Sequence, residues 1–347
     1  MQPLHDPTSH TFASDNYSGV HADVLAAIVA ANGGHCGAYG NDAYTARLQE
    51  VVQAQFGGKA EAFPVFNGTG ANVLALQACL PRWGAVICAE NAHVHHDEST
   101  APQAVGGFKL WTIATPDGKL TPEAVGREAY GFGFEHRAQP LAVSITQCTE
   151  TGRVYTADEI RAISACCREY GMLLHMDGAR LANAAAALGV PLRAITTDAG
   201  VDILSFGGTK NGLLCGECVV VLNPEPFADS LKYLRKMNMQ LASKMRFMSA
   251  QFIALLDNGL WQQLAANANA MAARLAAGLR DLPGVEMVYP VEANGVFVRL
   301  PAGVADKVRE ETFFYDWDQQ GTVRLMCSFD TTAAHVDALL AAIRRAL

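Results

Sequence analysis

From about residue 45 to 222, short apolar runs alternate with stretches whose apolar side chains return at helical spacing. That alternation is the pattern of a mainly parallel sheet with helices on both faces, an α/β fold. Strands are expected at 62–66, 85–89, 110–113, 141–146, 173–176, 203–206 and 218–222, giving seven in all. One unit shows the logic. Thr156 and Glu159 make a capping-box pattern, Ile160, Ile163 and Cys167 give the helix an apolar face, and Gly171 stands where a C-terminal cap belongs. "MLLHMD" then reads as a strand ending on a carboxylate, Asp177.

Beyond Phe227 the rhythm changes. Helical spacing continues to about Leu279, broken near Asn258-Gly259, and after "DLPG" come strand-like runs in "VEMVYPV", "GVFVRL" and "TVRLMCSF". The expected organisation is an N-terminal arm at 1–20, a large domain at 21–250 and a small C-terminal α+β domain at 251–347.

Composition narrows the function. The chain has 347 residues, half of them apolar, with a formal net charge of −8. It should therefore fold around large cores, and its charge argues against a duplex nucleic-acid partner, which would call for a basic surface. Nine cysteines are scattered through apolar segments, which fits reduced thiols in the cytoplasm. No apolar run approaches membrane-spanning length, and the first residues lack the pattern of a secretory signal. No membrane partner is expected.

Three places carry chemistry. "VFNGTGANVLALQACL" runs from a strand through a glycine-bearing turn into a helix, so Gly68, Thr69 and Gly70 fall at a helix N-terminus, where an anion is favoured. Read alone, it is equally an ordinary strand-to-helix turn. "LLHMDGAR" places Asp177 at a strand end and Arg180 three residues on. The carboxylate suits a heterocyclic nitrogen and the guanidinium fork suits a substrate carboxylate, or Asp177 simply caps the next helix. "FGGTKNG" presents Lys210 on a glycine-rich loop after another strand. There, glycines would let the backbone approach a ligand, and a desolvated lysine can attack a carbonyl. An anion loop, an Asp and a Lys past strands of one sheet suit pyridoxal phosphate, whose phosphate, ring nitrogen and aldehyde want those three contacts.

Together "FASDNYSG", "AYGNDAYTARLQ", "FNGTGANVLAL", "AENAHV", "LHMDGARLANA", "SFGGTKNG", "KMRF" and "VRLMCSFD" resemble the low-specificity threonine aldolases among the fold-type I pyridoxal phosphate enzymes. The resemblance implies a PLP-dependent, transferase-like fold and cleavage of L-threonine, L-allo-threonine and related 3-hydroxy amino acids to glycine and an aldehyde. It implies Lys210 as the lysine that bonds the cofactor's aldehyde, Asp177 as the ring-nitrogen partner, and Gly68 and Thr69 as the phosphate loop. Arg180 and Arg324, helped by Ser14, would hold the substrate carboxylate, and His93 would stack on the cofactor ring. Arg246 would reach a neighbouring subunit's phosphate, Lys244 would contribute to the phosphate site, and Tyr39 would lie near the site. A homodimer or homotetramer with shared sites follows by the same analogy. For the base that takes the β-hydroxyl proton, His93 and His136 are both open, as is a water.

Two segments depart from the usual family form, "TQCTE" at 146–150 and "NMQLASKMRF" at 238–247, and they fit a roomier pocket for aryl side chains. A phenylserine-preferring aldolase is therefore an alternative. So are a β-eliminating lyase or aminotransferase on the same fold, and a non-catalytic carrier of the cofactor. "HVHHDE" at 93–98 lacks the helical spacing of a zinc site, and no metal is expected. "CGEC" at 215–218 leads into an apolar strand, so its thiols read as packing groups.

Overall fold

Seven strands form where the apolar runs stand: β1 Glu61–Val65, β2 Gly84–Ala89, β3 Lys109–Ile113, β4 Gln139–Thr146, β5 Leu173–Gly178, β6 Ile203–Gly207 and β7 Glu217–Val221. They belong to a computed structural model that describes residues 2–227 and 230–347. Residue 1 of the expected arm and residues 228 and 229 at the head of the expected helical stretch lie outside the described residues. The order is β1-β7-β6-β5-β4-β2-β3. β2 to β6 are parallel, while β7 is antiparallel to both neighbours, β6 and β1. A sheet covered on both faces needs apolar side chains on both, and β2, β6 and β7 are buried along their whole length.

The helix Ala157–Glu169 begins with the expected capping box, Thr156 and Glu159 exchanging hydrogen bonds, and ends just before Gly171 at φ 68°. The helix Gly68–Cys79 follows β1 directly and is capped by Asn67, whose Oδ1 accepts the Gly70 N–H at 2.8 Å.

The reversal of β7 fixes what lies at the ligand edge. In a parallel sheet this edge is formed by strand carboxyl ends, here those of β4, β5 and β6. Since β7 runs the other way, its first residue reaches the same edge. Asp177 stands beside Ser205 across β5 and β6, and Gly207 beside Glu217 across β6 and β7.

The second sheet contains β8 Glu286–Met287, β9 Gly295–Arg299, β10 Tyr315–Asp316 and β11 Thr322–Met326, in the order β10-β11-β9-β8, all antiparallel. The helix Met245–Asp257 runs through the expected division near residue 251. Its Phe252, Leu255 and Leu256 join the large core, as do Leu264 and Ala265 of the next helix, Leu260–Leu279. Later in that helix, Ala272, Leu275 and Leu279 enter the second core. The N-terminal arm is strapped across the small sheet. The Phe12 N–H donates to the Phe313 carbonyl at 3.1 Å, the Met326 N–H donates to the Phe12 carbonyl at 2.8 Å, and the Phe12 ring is buried in the second core. Among the described residues, no helix is long and apolar enough to cross a membrane.

The glycines of "FGGTKNG" also make a close contact within the chain. A Cβ on Gly207 would fall 2.4 Å from the Ala179 carbonyl oxygen, and one on Gly208 would fall 2.8 Å from the Gly216 carbonyl oxygen. What approaches is the chain itself, packing β6 and its loop against the turn after β5 and the head of β7. Gly207→Ala should therefore lower stability by about 1–3 kcal/mol through overpacking against rigid backbone, measured as a shift of the urea midpoint.

Candidate active site

Two connected chambers open at the ligand edge. The inner one, about 300 Å³, is bounded by residues 66–69 at the start of the helix Gly68–Cys79, by Asn72, by Asp177 and Ser205 on β5 and β6, and by Lys210, His93, Glu98 and Glu217. The outer one, about 550 Å³, is lined by Ser14, His96, Asp97, Arg180, Arg324, Tyr315 and Trp317. Asn16, His93, Glu150 and Lys210 line both. Each volume lies near the range of small-molecule sites.

Asp177 is held from two sides. Its Oδ1 accepts the Ala179 N–H at 3.0 Å and its Oδ2 accepts Asn72 Nδ2 at 2.8 Å. Beneath it on the same strand face, buried His175 bridges Ser144 at 2.9 Å and Ser205 at 3.0 Å, and burial pushes the His175 imidazole down to about 4. Asn72 also donates to Glu98 Oε1 at 2.8 Å, and that oxygen meets His93 Nδ1 at 2.9 Å. Two carboxylates thus share one amide, and the imidazole joins them through Glu98. The hydrogen bond to Glu98 is the largest cause raising the His93 imidazole above its usual range, against the effect of burial. "HVHHDE" forms a one-turn helix, His93–His96, which brings Glu98 back beneath His93.

Arg180 does not face the outer chamber unpaired. Its Nε and Nη2 donate to the two oxygens of Asp15 at 2.7 and 2.9 Å, and Asn294 Nδ2 donates to the same carboxylate at 3.0 Å. Burial works to raise the Asp15 carboxyl, but Arg180 and then Lys210 hold it down at about 2. Arg324, on β11, makes a bond of 3.3 Å to the Ala13 carbonyl, while its buried Nε has no hydrogen-bond partner. Its guanidinium lies 5.9 and 5.7 Å from the Tyr315 and Trp317 ring centres. Burial first, and the nearby charge of Arg180 second, pull it below the usual guanidinium range. A carboxylate entering beside Arg324 would supply the missing partner.

Several expected site residues lie elsewhere in the subunit. His136 precedes β4 and is exposed, next to Glu135 and Phe134. In a parallel sheet the residue before a strand sits at the opposite edge, here about 26 Å from the carboxyl end across eight residues, so His136 does not reach the chambers of its own subunit. Tyr39, Lys244 and Arg246 gather on a neighbouring surface. The Tyr39 N–H donates to the Ser243 carbonyl at 2.9 Å, and Arg246 reaches the Gly34 carbonyl at 3.4 Å. From that stretch, Gln240 is the residue that touches the glycine turn: its Oε1 accepts the Phe66 N–H at 2.9 Å. Ser14 lines the outer chamber, and Gly68 and Thr69 the inner one, as expected.

Asp15, Asn72, Glu98 and Glu217 escaped the sequence reading. Pyridoxal phosphate fits the residues present. The helix N-terminus can take the phosphate, Asp177 the ring nitrogen's proton and Lys210 the aldehyde carbon, while buried Asn72 Oδ1 and Glu98 Oε2 have no hydrogen-bond partner among the described residues.

Residues 11–302 match the family model described as beta-eliminating lyase. The chain is 46% identical over 338 residues to the low specificity L-threonine aldolase of Pseudomonas sp. (strain NCIMB 10558), covering 97% of each. It is 44% identical over 341 residues to the protein of the same name from Pseudomonas aeruginosa, covering 97% of this chain and 98% of that one. The solved structure of Leishmania major threonine aldolase superposes with a TM-score of 0.91 at 28% identity, over 97% of this chain and 99% of the other.

Removing the charge of Asp15 tests the Arg180 clamp. Asp15→Asn leaves a buried guanidinium without its counter-ion and should cost about 3–5 kcal/mol at pH 7 by urea denaturation. The folded protein holds this carboxyl below its ordinary 3.8, so its contribution is present above that value and is lost as pH falls towards 2. The gap between variant and parent should narrow over that range.

Proposed function

The chain belongs to the low-specificity L-threonine aldolase group of the beta-eliminating lyase family, and from that premise we propose that its two chambers divide the work of one reaction. It is a pyridoxal phosphate-dependent lyase that cleaves L-threonine, L-allo-threonine and related L-3-hydroxy-α-amino acids to glycine and an aldehyde. The observation that carries this reading is the convergence of a helix N-terminus, Asp177 and Lys210 on a single cavity.

The bound cofactor supplies an electron-poor ring that takes up the electron pair left when the Cα–Cβ bond breaks. The chain supplies the rest. Asn72 and the Ala179 N–H fix the Asp177 carboxylate facing the cavity, where its negative charge favours a protonated ring nitrogen. Arg324, with Arg180 aligned by Asp15, would bind the substrate carboxylate and so orient the bonds at Cα. With Glu98 taking the His93 Nδ1 proton, Nε2 is left to accept the β-hydroxyl proton.

The surface of residues 34–39 and 236–246, where Tyr39, Lys244 and Arg246 gather, is the face we assign to a second subunit, in a homodimer or homotetramer with shared sites. All nine cysteines are free thiols, which supports a cytoplasmic, reducing location. The size of the outer chamber and its rings Tyr315 and Trp317 favour a second reading, a preference for aryl side chains as in phenylserine.

Product analysis with threonine, allo-threonine and phenylserine tests the reaction class. Glycine plus the matching aldehyde is expected, and the relative kcat/KM values decide the side-chain preference. Pyruvate with ammonia, or amino transfer to the cofactor, would contradict the aldolase reading, and bound cofactor with no turnover would leave a carrier. For the base, Glu98→Gln removes the group that raises His93, so the acid limb of the kcat/KM profile should move to lower pH. An unmoved limb would assign the proton elsewhere.

A further inference from the structure

Glu217 belongs to none of the roles above, yet its carboxylate is buried in the wall of the inner chamber. It opens β7, the one reversed strand of the large sheet, and the register sets it beside Gly207 on one side and Val65 on the other. The reversal therefore delivers a carboxylate to the edge where Lys210 emerges from the loop after β6. Glu217 Oε2 accepts the Gly208 N–H at 2.6 Å, two residues before Lys210. That loop is further tied to the head of β7 through Thr209, whose Oγ1 bonds the Gly216 carbonyl and N–H at 3.3 and 3.2 Å.

An ionised carboxylate in so closed a place needs a reason, because desolvation strongly disfavours charge without a partner. The charged groups acting on it are Lys210, from the loop, and Asp177, two strands away on the same face. His93, Glu98, Glu150 and Cys215 line the remaining walls, while the helix Met245–Asp257 places Met248 and Phe252 near the adjoining Gly216. Lys210 is the cation that shares the chamber wall with Glu217, and Gly208 and Thr209 tie its loop to the head of β7.

We propose that Glu217 is a positioning residue for Lys210 that anchors its loop through the Gly208 N–H. Burial pushes the Glu217 carboxyl up to about 7, against the Gly208 N–H, Thr209 and Lys210, which favour its charged form. The charge at this point of the chamber wall therefore changes near neutral pH.

This inference rests on the assignment of Lys210 as the residue that bonds the cofactor, and its test uses cofactor spectra and retention rather than products. The absorbance of the bound cofactor is titrated from pH 5 to 9 in wild-type, E217Q and E217A holoenzymes, and cofactor loss on dialysis is followed in each. Wild-type should show a spectral step near pH 7. E217Q should lack the step but retain cofactor like wild-type, since the Gln carbonyl still accepts the Gly208 N–H. E217A should lack the step and lose cofactor about tenfold faster, as expected for one missing hydrogen bond. A step that persists in E217Q, or is absent from wild-type, overturns the change of charge at Glu217. Retention in E217A equal to wild-type overturns the anchoring. Neither result bears on glycine release, so failure here is separable from failure of the aldolase reading.

Discussion

The architecture of the site depends on one buried carboxylate. Asp15 comes from the N-terminal arm, Arg180 from just past β5, and Asn294 from the residue before β9, and they meet in a hydrogen-bonded cluster. A guanidinium kept from water needs its counter-ion, and that requirement joins three distant parts of the chain. The arm is held because Phe12 enters the second core and bonds its sheet. With Arg180 neutralised by Asp15, Arg324 is the arginine of the outer chamber whose buried Nε has no hydrogen-bond partner among the described residues.

Strand direction is the second constraint. The chemistry-bearing residues of the inner chamber meet because a strand ends, or in one case begins, at the same edge of the sheet. Asp177 and Lys210 follow β5 and β6, the glycine turn follows β1, and Glu217 starts the reversed β7. The glycines at 207 and 208 let these pieces close on one another. The cofactor's surroundings are thus set by backbone against backbone, and the side chains are carried in with it.

These two constraints also explain what could be read from the sequence. The large-sheet strands were legible as short apolar runs, continuous where a strand is buried on both faces as in β2, β6 and β7, and the Thr156 cap was legible because its two partners are three residues apart. Strand β10 was not, being two exposed residues long. Lys210, Asp177, Gly68 and Thr69 could be found as polar or glycine positions directly after apolar runs, whereas Arg324 and His93 were named by family resemblance alone. His136 was misplaced because nothing in its neighbourhood reveals at which edge it lies until the direction of β4 is known. Asp15 and Glu98 owe their roles to partners brought together by folding. Glu217 did leave a signal, a lone carboxylate at the head of "VVVL", but the flanking cysteines of "CGEC" drew the reading towards thiols.

The account stands on Lys210 as the point where cofactor and protein join. Borohydride reduction of the holoenzyme followed by peptide mapping tests this directly. The account predicts one stable pyridoxyl label, on the peptide carrying Lys210; a label on any other lysine, or none, would contradict it.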